Sequence, residues 1–264
     1  IILGTVGLGL AWWLAWKRVT RRSLIDAGWR IGGFLAASFI AVAPYAHWFA
    51  TSYSSLQFWQ DGKTPLWGYF DIHGLFIFLL VTLLIWDTGR WFRSVRVRAL
   101  RGMWTWIIAG FLLLALILLV ALAATLVEYQ VAIIAVPLLI WIAALLLRPD
   151  QTRPMQYVLL ISGLAVGLTL GVEIFVLDGD IGRQNTIFKF YMQAWLIFAV
   201  MGGAAVAWLF ASLDNWRPAL RNVWTVGFAV LVTAAAMFPV MASQGKSVFR
   251  FDTEQPFTLD GAEF

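Results

Sequence analysis

Between Glu173 and Gln193 the chain reads Glu-Ile-Phe-Val-Leu-Asp-Gly-Asp-Ile-Gly-Arg-Gln-Asn-Thr-Ile-Phe-Lys-Phe-Tyr-Met-Gln. Acids, an Arg, a Lys and several amides crowd into this one stretch of an otherwise apolar sequence. Two chemistries suit such a set. A positioned carboxylate can take a proton from a hydroxyl as general base. A cation near the start of a helix can hold an anion, helped by unpaired N–H groups and the helix dipole. Thr186, Lys189 and Gln193 are spaced by three and four and so share one helix face. With Arg183 and Asn185 just ahead of them, they suit a lipid phosphate or pyrophosphate. The structural alternative has Lys189 snorkelling to headgroups and Arg183 pairing with Asp178 or Asp180.

Asp178-Gly179-Asp180 sets two acids around a glycine. Such a pair could chelate a hard divalent cation, Mg or Mn, through oxygen, or serve only as a polar turn. Glu173 falls within the end of its apolar run, about 6 Å below the helix terminus at ~1.5 Å per residue. A carboxylate there must face the protein interior or a water-filled cavity. It is either functional or a structural group, hydrogen-bonded or paired with Lys189. A second polar patch opens another run at Tyr69-Phe70-Asp71-Ile72-His73-Gly74. Asp71 can cap a helix or supply an acid, and His73 can donate to a phosphate or orient a carboxylate. The two do not share a helix face, which argues against an Asp/His metal pair. His47, beside Trp48, reads as interfacial.

The elements that carry these residues follow from composition. Hydrophobic residues make up 61% of 264 and charged residues 12%, about half the ~25% usual in soluble chains. A soluble core could not hide so much apolar surface, so the main solvent is lipid. The absence of cysteine excludes disulfides, thiolate metal sites and Cys nucleophiles. The chain opens inside an apolar run with no charged leader or cleavage site, so it reads as cut from something longer rather than as a signal peptide. Apolar runs at 1–16, 28–50, 69–89, 103–127, 129–148, 155–177, 187–211 and 222–242 predict an all-α polytopic bundle of about eight spans, one transmembrane domain over 1–242, with a segment at 243–264 beyond it. The span at 129–148 follows its predecessor through little more than Glu128-Tyr129, a tight hairpin. The polar, aromatic run at 54–70 is either an amphipathic surface segment or a long loop.

Charge sets the expected orientation. Alternate connectors hold 14 of the 19 Lys and Arg, so by the positive-inside rule they are cytoplasmic. The Glu173–Gln193 loop and the C-terminus then lie on the extracytoplasmic side, with ten of the 14 acids. A net charge of +5 distributed this way calls for no nucleic acid; the partners are membrane lipids. Trp12, Trp13, Trp16, Trp86, Trp91, Trp104, Trp106, Trp208, Trp216 and Trp224 form an expected aromatic belt at the cytoplasmic ends. Gly163, Gly167 and Gly171 line one helix face, a packing stripe. Pro44, Pro137 and Pro239 are expected to kink their helices.

Glu173, Asp178 and the run Arg183-Gln-Asn185-Thr186-Ile-Phe188-Lys189-Phe-Tyr191-Met-Gln193-Ala-Trp195 resemble the signature of the YYY-type polytopic membrane proteins, a bacterial and archaeal family of unknown function grouped with the GT-C glycosyltransferase fold. Gln184 stands where that pattern has Met. Tyr69 to Phe78 and Pro256 to Gly261 resemble two further family segments. The resemblance implies a GT-C-like enzyme of a prokaryotic cell membrane, with a polyprenyl-phosphate sugar as donor. Arg183 and Lys189 would hold the donor phosphate, with Asn185, Thr186, Gln193 and His73 positioning it. Asp178, Glu173 or Asp71 would act as base, and Asp178 with Asp180 could hold a metal. The rival readings are a transporter or lipid-handling protein and a non-catalytic subunit of a larger membrane complex.

Overall fold

In lipid, a backbone that satisfies its own polar groups does so as a helix, and helices carry most of the described residues. The computed structural model describes residues 21–48, 55–94, 128–146, 148 and 151–250, with the single positions 110, 115, 119 and 122. In chain order the elements are α1 (Arg21–Trp48), β1 (Leu56–Phe58), α2 (Leu66–Ser94), α3 (Ala132–Leu146), α4 (Arg153–Ile174), β2 (Phe175–Leu177), α5 (Gln184–Ser212), a 3₁₀ turn at Leu213–Asn215 and α6 (Pro218–Arg250).

Among the described residues α2, α4, α5 and α6 are long and apolar enough to cross a membrane. They occupy the spans expected at 69–89, 155–177, 187–211 and 222–242. Helix α1 covers most of 28–50. Helix α3 sits where 129–148 is expected but has 15 residues, about 22 Å at ~1.5 Å each, short of a ~30 Å hydrocarbon core. The expected span 1–16 lies outside the described residues. So does 103–127, apart from the four single positions. Helix α6 continues through Arg250 into the segment expected to begin at 243; the rest of that segment is outside the described residues.

Two expectations need correction. The span drawn to 177 ends as a helix at Ile174, because Phe175 turns extended (φ −121°, ψ 148°) after its amide closes the last helical bond to the Gly171 carbonyl. The three residues that follow form β2, so the all-α bundle carries one two-stranded sheet. The run at 54–70 is divided between β1, a short loop and the first turn of α2.

The chain divides into two units, Ile1–Ala211 and Ser212–Phe264. In the first, α3 and α4 form an antiparallel pair, with Ala135, Leu138, Ile142, Leu159 and Val166 buried along it. Of the glycine stripe, Gly163 makes the close approach: a Cβ there would lie 3.4 Å from the Ile142 side chain. At Gly167 and Gly171 no described atom lies within 4 Å of such a Cβ. Helix α5 buries Ala194, Phe198, Met201, Ala205 and Leu209, a stripe at helical spacing that faces the bundle. Gly202 lets α5 close on α2, since a Cβ there would meet Leu79 at 3.4 Å. Phe76 stacks on Phe198 at 5.4 Å. Trp86 stacks on Trp208 at 6.4 Å toward the other end of the same helices. The opposite faces of α5 stay apolar and exposed at Phe188, Leu196 and Val200, as lipid contact requires. In the second unit Trp216, Trp224 and Phe228 pack ring to ring at the start of α6.

Candidate functional site

Helix α2 starts, α4 ends and α5 starts at one end of the bundle, and the sheet ties these ends together. The strands run antiparallel, with Leu56 opposite Leu177, Gln57 opposite Val176 and Phe58 opposite Phe175. The Asp178 amide donates to the Ser55 carbonyl and the Trp59 amide to the Ile174 carbonyl, each at 2.8 Å. Phe58 and Phe175 add ring contact at 5.3 Å. This ladder fixes the segment leading into α2 over the last turn of α4, and so brings Thr64 to Glu173.

Glu173 is 0% exposed and Arg183 8%. The Arg183 Nη1 lies 2.9 Å from Glu173 Oε1. Thr64 donates to the same carboxylate twice, from its amide to Oε2 at 2.8 Å and from its hydroxyl to Oε1 at 2.6 Å. The guanidinium also donates to the Val172 carbonyl at 2.9 Å and to the Thr64 hydroxyl at 3.0 Å. Its plane is covered by the Trp59 ring at 5.6 Å. Buried charges persist where they are paired and hydrogen-bonded, and this pair meets both conditions. Glu173 and Arg183 therefore form a closed lock between α4, the loop after β2 and the segment before α2. The structural alternatives were a hydrogen bond or a Lys189 pair for Glu173 and an Asp178 or Asp180 pair for Arg183; the geometry joins Glu173 to Arg183 and hydrogen-bonds it to Thr64. Lys63 is drawn inward beside the lock, donating to the Trp59 carbonyl at 2.5 Å with its ammonium 4.6 Å above the Tyr129 ring.

Arg183 reaches back because the loop turns twice, at Gly179 (φ 83°) and Gly182 (φ 63°), where a side chain would be strained. Asp180 closes that loop. Its carboxylate accepts the Asn185 amide at 3.2 Å, and the Thr186 amide and hydroxyl at 2.7 Å each. The Thr186 hydroxyl in turn accepts the Leu177 amide at 3.0 Å. These bonds satisfy amides that the first turn of α5 leaves unpaired. Burial works against the Asp180 charge, but the Thr186 and Asn185 hydrogen bonds outweigh it and hold the carboxyl below its ordinary range.

The remaining expected residues are distributed as follows. Asp178 stands at the end of β2, half-buried, with a long bond from the Ser55 hydroxyl at 3.5 Å. Asp71 is exposed and lies inside α2 rather than at its start, so it caps nothing. His73 is 0% exposed, ringed by Tyr69, Tyr191 and Phe198. Thr186 is buried, Asn185 and Gln193 half-buried and Lys189 exposed. Among the described residues no three His, Cys, Asp or Glu side chains group as a metal site. A cation at Asp178 would have to share Asp180 with the α5 amides.

The other side of α5 carries a groove of about 440 Å³, lined by Gln184, Ile187, Phe188, Tyr191, Met192 and Trp195. These positions repeat every three and four residues, a single stripe about 16 Å long at ~1.5 Å per residue. Its volume falls within the ~300–1,000 Å³ of ligand pockets. It starts beside the polar loop at Gln184, is open along much of its length and is apolar over almost all of its lining.

Thr64 and Tyr191 are the residues that sequence reasoning passed over. Thr64 sits 109 positions from Glu173, and nothing in its own neighbourhood marks it beyond Pro65 at a helix start. Tyr191 was visible inside the motif, but not as the side chain shared by the groove and the His73 cage.

Neither the curated proteins nor the solved structures offer a match to this chain. A family model does: it matches residues 2–198, which takes in the lock, the loop and the whole groove. The chain belongs to the family described as uncharacterised membrane protein DUF2298.

Proposed function

We propose that this membrane protein binds a polyprenyl-phosphate-linked sugar along the α5 groove and transfers the sugar to an acceptor hydroxyl, as a GT-C-type glycosyltransferase working at the extracytoplasmic face of a prokaryotic membrane. The groove carries this reading: an open apolar stripe about 16 Å long that begins, at Gln184, beside the polar loop. The prenyl chain lies along Phe188, Met192 and Trp195. Its phosphate sits beside the first turn of α5 against the Gln184 side chain, since the Asn185 and Thr186 amides of that turn are already held by Asp180. Asn185 flanks the phosphate, and Lys189 adds positive potential from the neighbouring side of the helix. In the transfer step the acceptor oxygen bonds to the anomeric carbon and gives its proton to a carboxylate. The carbon–oxygen bond to phosphate breaks, and polyprenyl phosphate leaves with the electron pair. Asp178 is the carboxylate for this role, with Asp71 a further exposed acid near the start of α2. Glu173 and Arg183 are positioning residues, because their charges are spent on each other. The test is turnover of a polyprenyl-phosphate sugar by wild type, Asp178→Asn and Lys189→Ala. Loss of about 100-fold or more in the aspartate variant is expected of a general base; wild-type turnover in both variants would sink the assignment.

One observation favours a second reading. Two charged residues of the signature, Glu173 and Arg183, are sealed in a lock, which suits a lipid-binding or lipid-moving protein as well as an enzyme. Flux of a labelled polyprenyl phosphate across proteoliposomes, with no sugar transferred, would favour it.

A further inference from the structure

His73 lies wholly inside the first unit, and among the described residues neither ring nitrogen has a hydrogen-bond partner. Its neighbours are rings: Tyr191 edge-on at 4.7 Å, Tyr69 at 5.1 Å and Phe198 at 5.8 Å. A buried polar atom left unpaired destabilises the fold, and native structures keep few of them without a reason. The Tyr191 hydroxyl is buried as well and closes no hydrogen bond of sound geometry, although Thr64 and Glu173 are within interaction range. Tyr69, in contrast, is satisfied by the Thr169 hydroxyl at 2.9 Å. Of the three rings around His73, Tyr191 is the one that also lines the groove.

Resting on the proposed function, we infer that His73 and the Tyr191 hydroxyl form a subsite for a neutral hydroxyl of the lipid-borne substrate, a sugar hydroxyl, entered from the groove past Tyr191. The chemistry selects the class. A neutral imidazole offers one donor and one acceptor, and a phenol can do either, which matches a hydroxyl. A phosphate here would find only rings against His73, while the Arg183 guanidinium is held by Glu173. His73 thus serves the sugar end of the ligand, not the phosphate end.

The test measures binding of polyprenyl-phosphate glucose and bare polyprenyl phosphate to the full chain in a sugar-free detergent. Wild type is expected to bind the sugar-bearing lipid about fivefold to tenfold more tightly, the worth of roughly one well-made hydrogen bond. In His73→Phe and in Tyr191→Phe that ratio falls to near one. Ligand-free His73→Phe is expected to melt no lower than wild type, because its nitrogens give up no bond. If His73→Phe fails to fold, Tyr191→Phe, which loses one oxygen, decides alone. A ratio that persists in the variants, or a ratio near one in wild type with both lipids bound, overturns the subsite and leaves the groove reading standing. Binding of neither lipid to wild type overturns both.

Discussion

The lock between Glu173 and Arg183 sets the largest energetic stake at the site, and it can be measured. Arg183→Met keeps most of the side-chain length but removes the guanidinium bonds to Glu173, the Val172 carbonyl and the Thr64 hydroxyl. It also strands a carboxylate that is 0% exposed, with Thr64 as its remaining donor. Removing one partner of a buried pair costs about 3–5 kcal/mol, which for a chain of this size lowers the melting temperature by roughly 6–20 °C. Glu173→Leu strands the guanidinium and costs a similar amount. The double variant removes both charges together, so it is expected to lie within about 2 kcal/mol of wild type. The coupling between the two positions then exceeds about 3 kcal/mol, well above the ~0.3–0.5 kcal/mol scatter of independent sites. Unfolding in mixed micelles, followed by tryptophan fluorescence, gives the four free energies of the cycle. Additive losses, or single variants within about 0.5 kcal/mol of wild type, the range of ordinary surface substitutions, would refute the lock as a dry, mutually dependent pair.

Two further outcomes follow from the same geometry. Asp180→Ala removes the acceptor of the Asn185 and Thr186 amides and is expected to cost about 1 kcal/mol, as lost caps do, and to fray the first turn of α5 in hydrogen exchange. Because the folded state holds the Asp180 carboxyl below its ordinary value, its contribution is present above the unfolded value and disappears as pH falls through the folded one. Asp180→Asn should therefore lower stability at neutral pH, flatten the acid limb of the profile below about pH 4 and converge on wild type at the acid end. Toward the other end of α2, Asp87 is 2% exposed, accepts Gln151 Nε2 at 2.7 Å and lies 3.7 Å from Arg148 Nη1. Asp87→Ala is expected to cost about 2–4 kcal/mol by removing the buried carboxylate that both groups face and Asp87→Asn less than half of that, read from the same unfolding assay.

The spans at 69–89, 155–177, 187–211 and 222–242 were legible because lipid imposes one demand, twenty-odd apolar residues in a helix, and composition alone reports it. That Thr64, ahead of the third expected span, would meet Glu173 of the sixth and Arg183 ahead of the seventh was not. The sheet was hidden because its strands are three residues each, apolar like the helices beside them, and too short for alternation to register. Glu173 announced itself as a carboxylate inside an apolar run, and that reading held. Its partner did not follow from helical spacing, because the choice between Lys189 and Arg183 depends on the loop doubling back at Gly179 and Gly182. Lys189 instead rides α5 on an exposed face. The spacing that grouped Thr186, Lys189 and Gln193 is real, yet it could not tell which side of α5 holds the groove, since that is set by where α2 packs. His73 read as a phosphate ligand because a histidine at a helix opening is usually wet. Three rings from two helices make it dry, and no local sequence signal carries that.

The central claim is that a polyprenyl-phosphate lipid lies along α5 with its head at the polar loop. Photocrosslinking tests it most directly: a polyprenyl phosphate bearing a diazirine in the prenyl chain is incubated with the protein in nanodiscs, irradiated, and the adducts are mapped by peptide mass spectrometry. The account predicts adducts concentrated on Ile187, Phe188, Met192 and Trp195, competed by unlabelled polyprenyl phosphate but not by phosphatidylglycerol. Adducts spread over exposed α6 residues such as Val226 and Phe238 at the same yield, or undiminished by competitor, would contradict it.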